Sequence, residues 1–379
     1  MARAARKPSR ARMREQLLAE AAAIALPDAV DVCVCGGGAA GLAAAIAAAE
    51  AGAAVLVLER GLRCGESILA TGNGRCNLSN RALAPEAFND PDFVRAAFGS
   101  FGCENILAFF AQCGLATICE NGRIYPASNQ AASVREVLLA RARRGRVIFG
   151  CARELEGIEG GTIAFRELFS EERHTLAAGA VVLACREGYL PDGLAAAPFT
   201  PALCPIAAEG LPFKELDGRR VHARAALMRR GVPVLQEEGE VLFRSYGLSG
   251  IVIFDLSRAA CPGDTIELDL APALDDALFF ELTERAGSAR GIIDPSIVDV
   301  MGSAKHLSCT VTGLAQTEHA QVRRGGLATA QFDPATLMAY GKPGLFAAGE
   351  VLDIDGPCGG YNLSWAWRSG QIAGTAAAA

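Results

Sequence analysis

Apolar and polar positions divide this chain unevenly. "VDVCVC" (30–35) and "AAVLVLE" (53–59) are short, almost unbroken apolar runs, the pattern of strands buried on both faces of a parallel sheet. Between them, "LAAAIAAAEA" reads as an Ala-rich helix stopped by Gly52. Strand, helix and strand in this order predict a βαβ unit. Residues 91–145 read as mostly helical, interrupted by a turn and short strand over 120–128. From 146 to 185 short strands alternate with turns, and "AVVLAC" (180–185) predicts one more buried strand. Pro-rich 190–205 marks a boundary. Beyond it "GEVLFRSYGLSGIVIFDLSR" (239–258) and "DTIELDL" (264–270) predict an antiparallel β-rich insert, followed by a helical patch over 275–302. Residues 344–374 read as strand, Gly-rich turn, helix.

The six-residue stretch "GGGAAG" (36–41) sits between the first strand and the helix. Gly36, Gly38 and Gly41 have the spacing of a dinucleotide fingerprint. The first glycine makes the tight turn, the second lets backbone approach a pyrophosphate, and the third packs helix on strand. The helix N-terminus then offers N–H groups and the positive end of its dipole. Glu59 closes the second strand about 20 residues on, where an acidic residue takes ribose hydroxyls. A bare fingerprint is weak evidence; this one has its strand, its helix and its acid in place. No second one follows, since "GIEGGT" (157–162) lies in a hairpin and "RRGGLA" (323–328) lacks the strand–helix setting. A single N-terminal fingerprint with a Gly-rich strand–turn–helix at the far end is the pattern of FAD-first flavoproteins. There Gly349 and Glu350 end the strand, and the helix opening at Gly359 and Gly360 aims N–H groups at the flavin. Trp365 and Trp367 read as packing.

Composition narrows this picture. At 379 residues, 51% apolar, the chain can bury a core and hold more than one structural unit. A net charge of −6 argues against nucleic acid as the main partner. Thirteen cysteines without a CxxC pair predict reduced thiols and a cytoplasmic protein. The four histidines, His174, His222, His306 and His319, are scattered, so no metal site is expected. Residues 1–28 form a basic extension carrying Arg3, Arg6, Lys7, Arg10, Arg12 and Arg14, expected to be a loosely ordered helix, with Glu15 and Glu20 interrupting any signal-peptide run. No segment is apolar for long enough to span a bilayer.

Four stretches carry a resemblance: "CGGGAAGLAAAIAAAEAG", "TGNGRCNLSN" (71–80), "GEVLFRSYGLSG" (239–250) and "GLFAAGEVLDIDGPCGGYNLSWAWRSGQIAG" (344–374). In this order they resemble the NAD(P)/FAD-dependent oxidoreductase family of the BaiN and aminoacetone oxidase type, over residues 30–375. The resemblance implies an α/β fold: a Rossmann-like FAD-binding domain split in sequence (29–195 and 310–379), with an inserted β-barrel-like domain and a small helical part (196–309). It implies FAD held by Gly36, Gly38, Ala40, Gly41, Glu59, Arg60, Thr71, Gly72, Gly74, Arg75, Cys76, Asn77, Gly349, Glu350, Asp355, Gly359, Gly360, Tyr361 and Asn362. Physical chemistry agrees for part of this set. Glycines let backbone approach closely, Arg75 can pair with a phosphate or a flavin anion, and Asn77 can both donate and accept at a ring edge. Two departures stand out. Relatives carry Lys where this chain has Ser67, and Cys185, Arg186 and Glu187 replace a Thr-Gly-Gly turn beside the adenine–pyrophosphate part.

The expected activity is NAD(P)H-driven reduction, through FAD, of a C=C bond conjugated to a carbonyl in a small apolar, steroid-like substrate. Arg75 and Tyr361 are the polar candidates at the reacting face. Three alternatives stay open: a flavin amine oxidase using oxygen, an RNA-linked flavoprotein, and an inactive protein that kept the FAD fold. The oligomeric state is not legible.

Overall fold

The two apolar runs flanking the Ala-rich helix pair as parallel strands. The computed structural model describes residues 9–185 and 188–379. Arg3, Arg6 and Lys7 of the basic extension, and Arg186 and Glu187 of the altered turn, lie outside the described residues. The chain divides into two compact units, Met1–Phe199 with Gly325–Ala379, and Thr200–Arg324.

In the first unit, α1 (Arg10–Ala22) starts at Ser9, whose hydroxyl accepts from the Arg12 N–H. It leads into β1 (Ala29–Cys35), α2 (Ala39–Glu50) and β2 (Val55–Glu59), the expected βαβ unit. Next come α3 (Ala131–Arg144), β3 (Ile148–Cys151), β4 (Arg153–Glu159), β5 (Thr162–Glu167) and β6 (Arg173–Leu183). The unit ends with β7 (Leu345–Ala347) and α4 (Tyr361–Ala377). These strands form one seven-stranded sheet, β3-β2-β1-β6-β5-β4, with β7 also on β6. Strand β6 serves two functions. Its first half pairs antiparallel with β5, while its second half runs parallel to β1 and β7. Val32, Cys33, Val34, Leu56 and Val57 have no exposed surface, as the unbroken apolar runs require.

Helix α4 returns the chain's end to its beginning. A Cβ on Gly370 would lie 2.3 Å from the Ala40 carbonyl oxygen, and one on Gly374 2.2 Å from that of Ala44. Only glycine permits this approach. The pairing of 40 with 370 and 44 with 374 makes the two helices parallel. The first turn of α4 therefore projects about 12 Å beyond the first turn of α2, eight residues at 1.5 Å each.

The second unit is a closed antiparallel barrel in the order Ile206–Glu209, Gly247–Ser249, Val232–Arg244, Arg220–Arg229, Thr265–Asp269, His306–Leu314. The last strand lies wholly in this unit. Alternate positions Ala223, Ala225, Leu227, Ile266 and Leu268 point inward and are buried. One expectation is corrected here. "IVIFDLS" forms a helix, Ile251–Ser257, not a strand. Val252, Ile253 and Leu256 bury its inner face, and an apolar run of this length fits a buried helix as well as a strand. The helices Asp276–Ala286 and Pro295–Met301 match the patch expected over 275–302.

Candidate functional site

At the carboxyl ends of β1 and β2 the fingerprint loop turns into α2. Gly36 holds φ 113°, and a Cβ there would sit 2.6 Å from the Ala184 carbonyl oxygen. A Cβ on Gly41 would sit 1.8 Å from the Gly36 carbonyl oxygen. Gly38 is the N-cap of α2 and leaves the helix end bare. Glu59 ties the two strand ends together. One carboxylate oxygen accepts from the Gly37 N–H and the other from the Gly61 N–H, both at 2.6 Å. Each oxygen keeps a lone pair for a ligand hydroxyl. Arg60 is mostly exposed and pairs with Glu154 at 3.0 Å. Ala40 is buried at the crossing with α4, its Cβ 2.7 Å from where a Cβ on Gly349 would stand. It packs the end of α2 against the chain's C-terminal part.

"TGNGRCNLSN" is a chain of left-handed turns: Gly72, Asn73, Gly74 and Cys76 all have positive φ. The Thr71 hydroxyl donates to the Ile68 carbonyl at 2.7 Å. Asn77 is 8% exposed, and its side-chain oxygen is a buried acceptor without a protein partner. Such an atom is costly unless a ligand satisfies it. Burial pushes the Cys76 thiol up to about 12, so it stays protonated. Arg75 has several protein partners. Its guanidinium pairs with Glu120 at 2.5 Å, donates to the Asn129 side-chain oxygen at 2.6 and 3.0 Å, and stacks 4.0 Å from the Tyr125 ring centroid.

The end of this stretch is pressed against the start of α4. Asn80 Nδ2 donates to the Gly359 carbonyl at 2.9 Å, Trp367 Nε1 donates to the Leu78 carbonyl at 3.0 Å, and the Ser364 hydroxyl donates to that of Ser79 at 3.0 Å. Asn362 clips the turn before the helix, accepting from the Gly356 N–H and donating to its carbonyl, both at 2.8 Å. Tyr361 stands edge-on to Phe88, with its hydroxyl donating to the Ala82 carbonyl at 3.3 Å. The Gly349 N–H donates to Ser369, and the Gly349 carbonyl accepts from Trp365, at 2.9 and 3.1 Å. Glu350 lies beside it, half-buried. Asp355 is 1% exposed. Its backbone is bracketed by Asn89, whose N–H donates to the Asp355 carbonyl and whose side-chain oxygen accepts from the Asp355 N–H. The sequence reading missed Asn89, which no motif flags.

These residues suit flavin adenine dinucleotide. The bare helix end of α2, the ribose-type acceptor Glu59, the orphaned Asn77 oxygen and the second helix end at Gly359–Gly360 supply donors and acceptors of the kinds that such a group needs. At the altered turn, burial pushes the Cys185 thiol up to about 12, and the Ala184–Cys185 backbone lies directly under Gly36. No helix of the described residues is long and apolar enough to cross a membrane.

The family model described as HI0933-like protein Rossmann domain matches residues 30–376. A 3-dehydro-bile acid delta(4,6)-reductase from Clostridium scindens is 33% identical, covering 91% of this chain and 98% of its own. A ribosomal RNA dihydrouridine synthase from Escherichia coli is 26% identical over 89% of this chain and 96% of its own. In fold, the chain is similar to a 3-ketosteroid-delta4-(5alpha)-dehydrogenase from Rhodococcus jostii RHA1, with a TM-score of 0.50, 17% identity, and coverage of 94% and 98% of the two chains. The chain belongs to the HI0933-like family of Rossmann-domain proteins and is an enzyme of the flavin-dependent oxidoreductase class.

Proposed function

We propose that this chain is an FAD-dependent reductase of a C=C bond conjugated to a carbonyl in a small apolar, steroid-like molecule, with NAD(P)H as transient electron donor. The observation that carries this reading is the pair of parallel helix ends, α2 behind the glycine fingerprint and α4 seated on residues 78–80. The relative named for bile-acid reduction supports the substrate class.

FAD, when bound, supplies hydride transfer. The protein's part is binding and electrostatics. The first turn of α2 would hold the pyrophosphate, and Glu59 would accept from the ribose hydroxyls. Asn77 would offer its otherwise unpartnered oxygen to the cofactor. The first turn of α4 would supply positive dipole that favours negative charge on the bound group. Gly72 and Gly74 keep the facing backbone bare, and Thr71 and Cys76 shape the same turn. Gly349, Glu350 and Asp355 form the wall supplied by the chain's end. Arg75, held by Glu120 and Asn129, acts by fixing that turn. Tyr361 opens α4 and would orient the substrate or ring there.

A second reading has its own support, the two relatives named ribosomal RNA dihydrouridine synthase, at 26% and 23% identity. The C5=C6 bond of uracil is also conjugated to a carbonyl, so the chemistry is shared and the carrier differs. A net charge of −6 disfavours RNA.

One experiment separates them. Protein reconstituted with FAD is titrated with NADH, then NADPH, without oxygen, followed by a 4-en-3-one steroid or a ribosomal RNA fragment. Bleaching by a nicotinamide and recovery with the enone supports the proposal. Recovery with RNA alone moves the assignment to the second reading, and failure to take up FAD sinks both.

A further inference from the structure

Behind the fingerprint loop lie two thiols for which the proposed activity has no use. Cys64 and Cys151 face each other with sulfurs 3.8 Å apart. Cys151 ends β3, in register with Glu59 on β2, and is half-buried. Cys64 sits in the turn after β2 and is 3% exposed. Its sulfur lies against Gly37, 2.5 Å from where a Cβ on that residue would stand. The next residue, Gly65, donates its N–H to the Gly37 carbonyl at 2.7 Å, and Arg135 Nε donates to the Cys64 carbonyl at 2.8 Å. The turn holding Cys64 is thus one wall of the loop that carries the fingerprint.

We propose that Cys64 and Cys151 form a reversible disulfide that makes dinucleotide binding at the fingerprint loop sensitive to the thiol–disulfide balance. A disulfide needs sulfurs about 2.05 Å apart, so closing the pair asks for less than 2 Å of movement. Cys151 is the attacking thiol. It is the more accessible of the two, and the hydrogen bond between the two sulfurs lowers its pKa while the same contact and burial raise that of Cys64. With glutathione disulfide as oxidant, the Cys151 thiolate displaces one glutathione and forms a mixed disulfide. Cys64 then attacks the Cys151 sulfur and displaces the second. Two protein thiols are oxidised, one glutathione disulfide is reduced to two glutathiones, and the two thiol protons leave on them. Closure draws Cys64 off Gly37 toward β3 and disturbs the Gly65–Gly37 hydrogen bond. Its effect on binding rests on the dinucleotide reading above; the disulfide itself does not.

The test uses the full chain in glutathione redox buffers, quenched with acid and N-ethylmaleimide, digested and mapped by mass spectrometry, with ADP affinity measured by calorimetry on the same samples. The expected result is a peptide linking Cys64 to Cys151 that rises with the oxidised fraction, disappears with dithiothreitol, and accompanies an ADP Kd at least threefold weaker. In Cys151→Ser the ADP affinity no longer responds to oxidant. A protein that binds ADP but never yields the linked peptide overturns the proposal. A linked peptide with unchanged ADP affinity overturns the gating. A linked peptide in a protein that binds ADP in neither state supports the dithiol and removes the dinucleotide reading instead.

Discussion

Asn80 Nδ2 donates to the Gly359 carbonyl at 2.9 Å across 279 positions of sequence, while the Asn80 side-chain oxygen accepts from the Ala82 N–H at 2.9 Å. One amide therefore fixes the end of "TGNGRCNLSN" to the turn that opens α4. Asn80→Ala loses both bonds and costs about 1–2 kcal/mol. Asn80→Asp keeps the acceptor but turns a carboxylate oxygen toward the Gly359 carbonyl, so it falls below alanine at pH 7. Thermal midpoints give that order, and the rate of flavin fluorescence appearing on dilution gives the effect on the cofactor. An aspartate variant as stable as wild type would remove this contact from the account.

The close pairing of α2 with α4 makes the next prediction. Gly374→Ala gains helix propensity of about 1 kcal/mol. Against that, its Cβ meets backbone, the Ala44 carbonyl oxygen at 2.2 Å, which no rotamer change relieves. Overpacking of this kind costs about 1–3 kcal/mol, so the net change is destabilising, and Gly374→Val is worse. Urea midpoints compare the three proteins. A more stable Gly374→Ala would mean that the helices separate at no cost.

Legibility followed sequence distance and burial. The βαβ unit was readable because β1 and β2 are buried on both faces and leave continuous apolar runs. Glu59 was readable from its place at the end of β2; its bonds to Gly37 and Gly61 were not. Residues 251–257 misled because their apolar run fits a strand and a barrel-lining helix equally well. Arg75 carries a charge suited to a cofactor, yet its partners Glu120 and Asn129 come from 45 and 54 residues on, and only folding brings them to it. Asn89 left no local trace, since it clamps residues Asp353 and Asp355, more than 260 positions away.

Arg153 is a buried cation that fastens α1 to the sheet. It is 2% exposed, pairs with Glu167 at 3.0 Å, and donates to the Ala21, Ile24 and Cys151 carbonyls at 3.1–3.3 Å. Arg153→Met fills much of the volume but removes the charge partner of the mostly buried Glu167 and one donor from each of three carbonyls, costing about 3–5 kcal/mol. The loss centres on the end of α1. Limited proteolysis is therefore expected to cut near residues 22–28 in the variant well before wild type. Equal cutting rates would show that packing alone holds the helix.

Thiols held protonated by the fold contribute to the alkaline limit, Cys76, Cys185 and Cys309 among them. Burial pushes Cys76, Cys185 and Cys309 each up to about 12, against about 8.5 for a thiol in an unfolded chain. Between those values the folded protein keeps protons that the unfolded chain has released. The proton difference then favours unfolding, so the stabilisation is complete below about pH 8.5 and drains away as pH rises toward 12. Each thiol contributes a slope of about 1.4 kcal/mol per pH unit in that window. Cys309, inside the barrel, gives the cleanest comparison. Cys309→Ala leaves a small cavity, which shifts stability at every pH, but it removes one proton from the linkage. The urea midpoint of wild type should therefore fall more steeply than that of Cys309→Ala between pH 8.5 and 10.5. Parallel slopes would mean that this thiol ionises in the folded barrel as readily as in the unfolded chain.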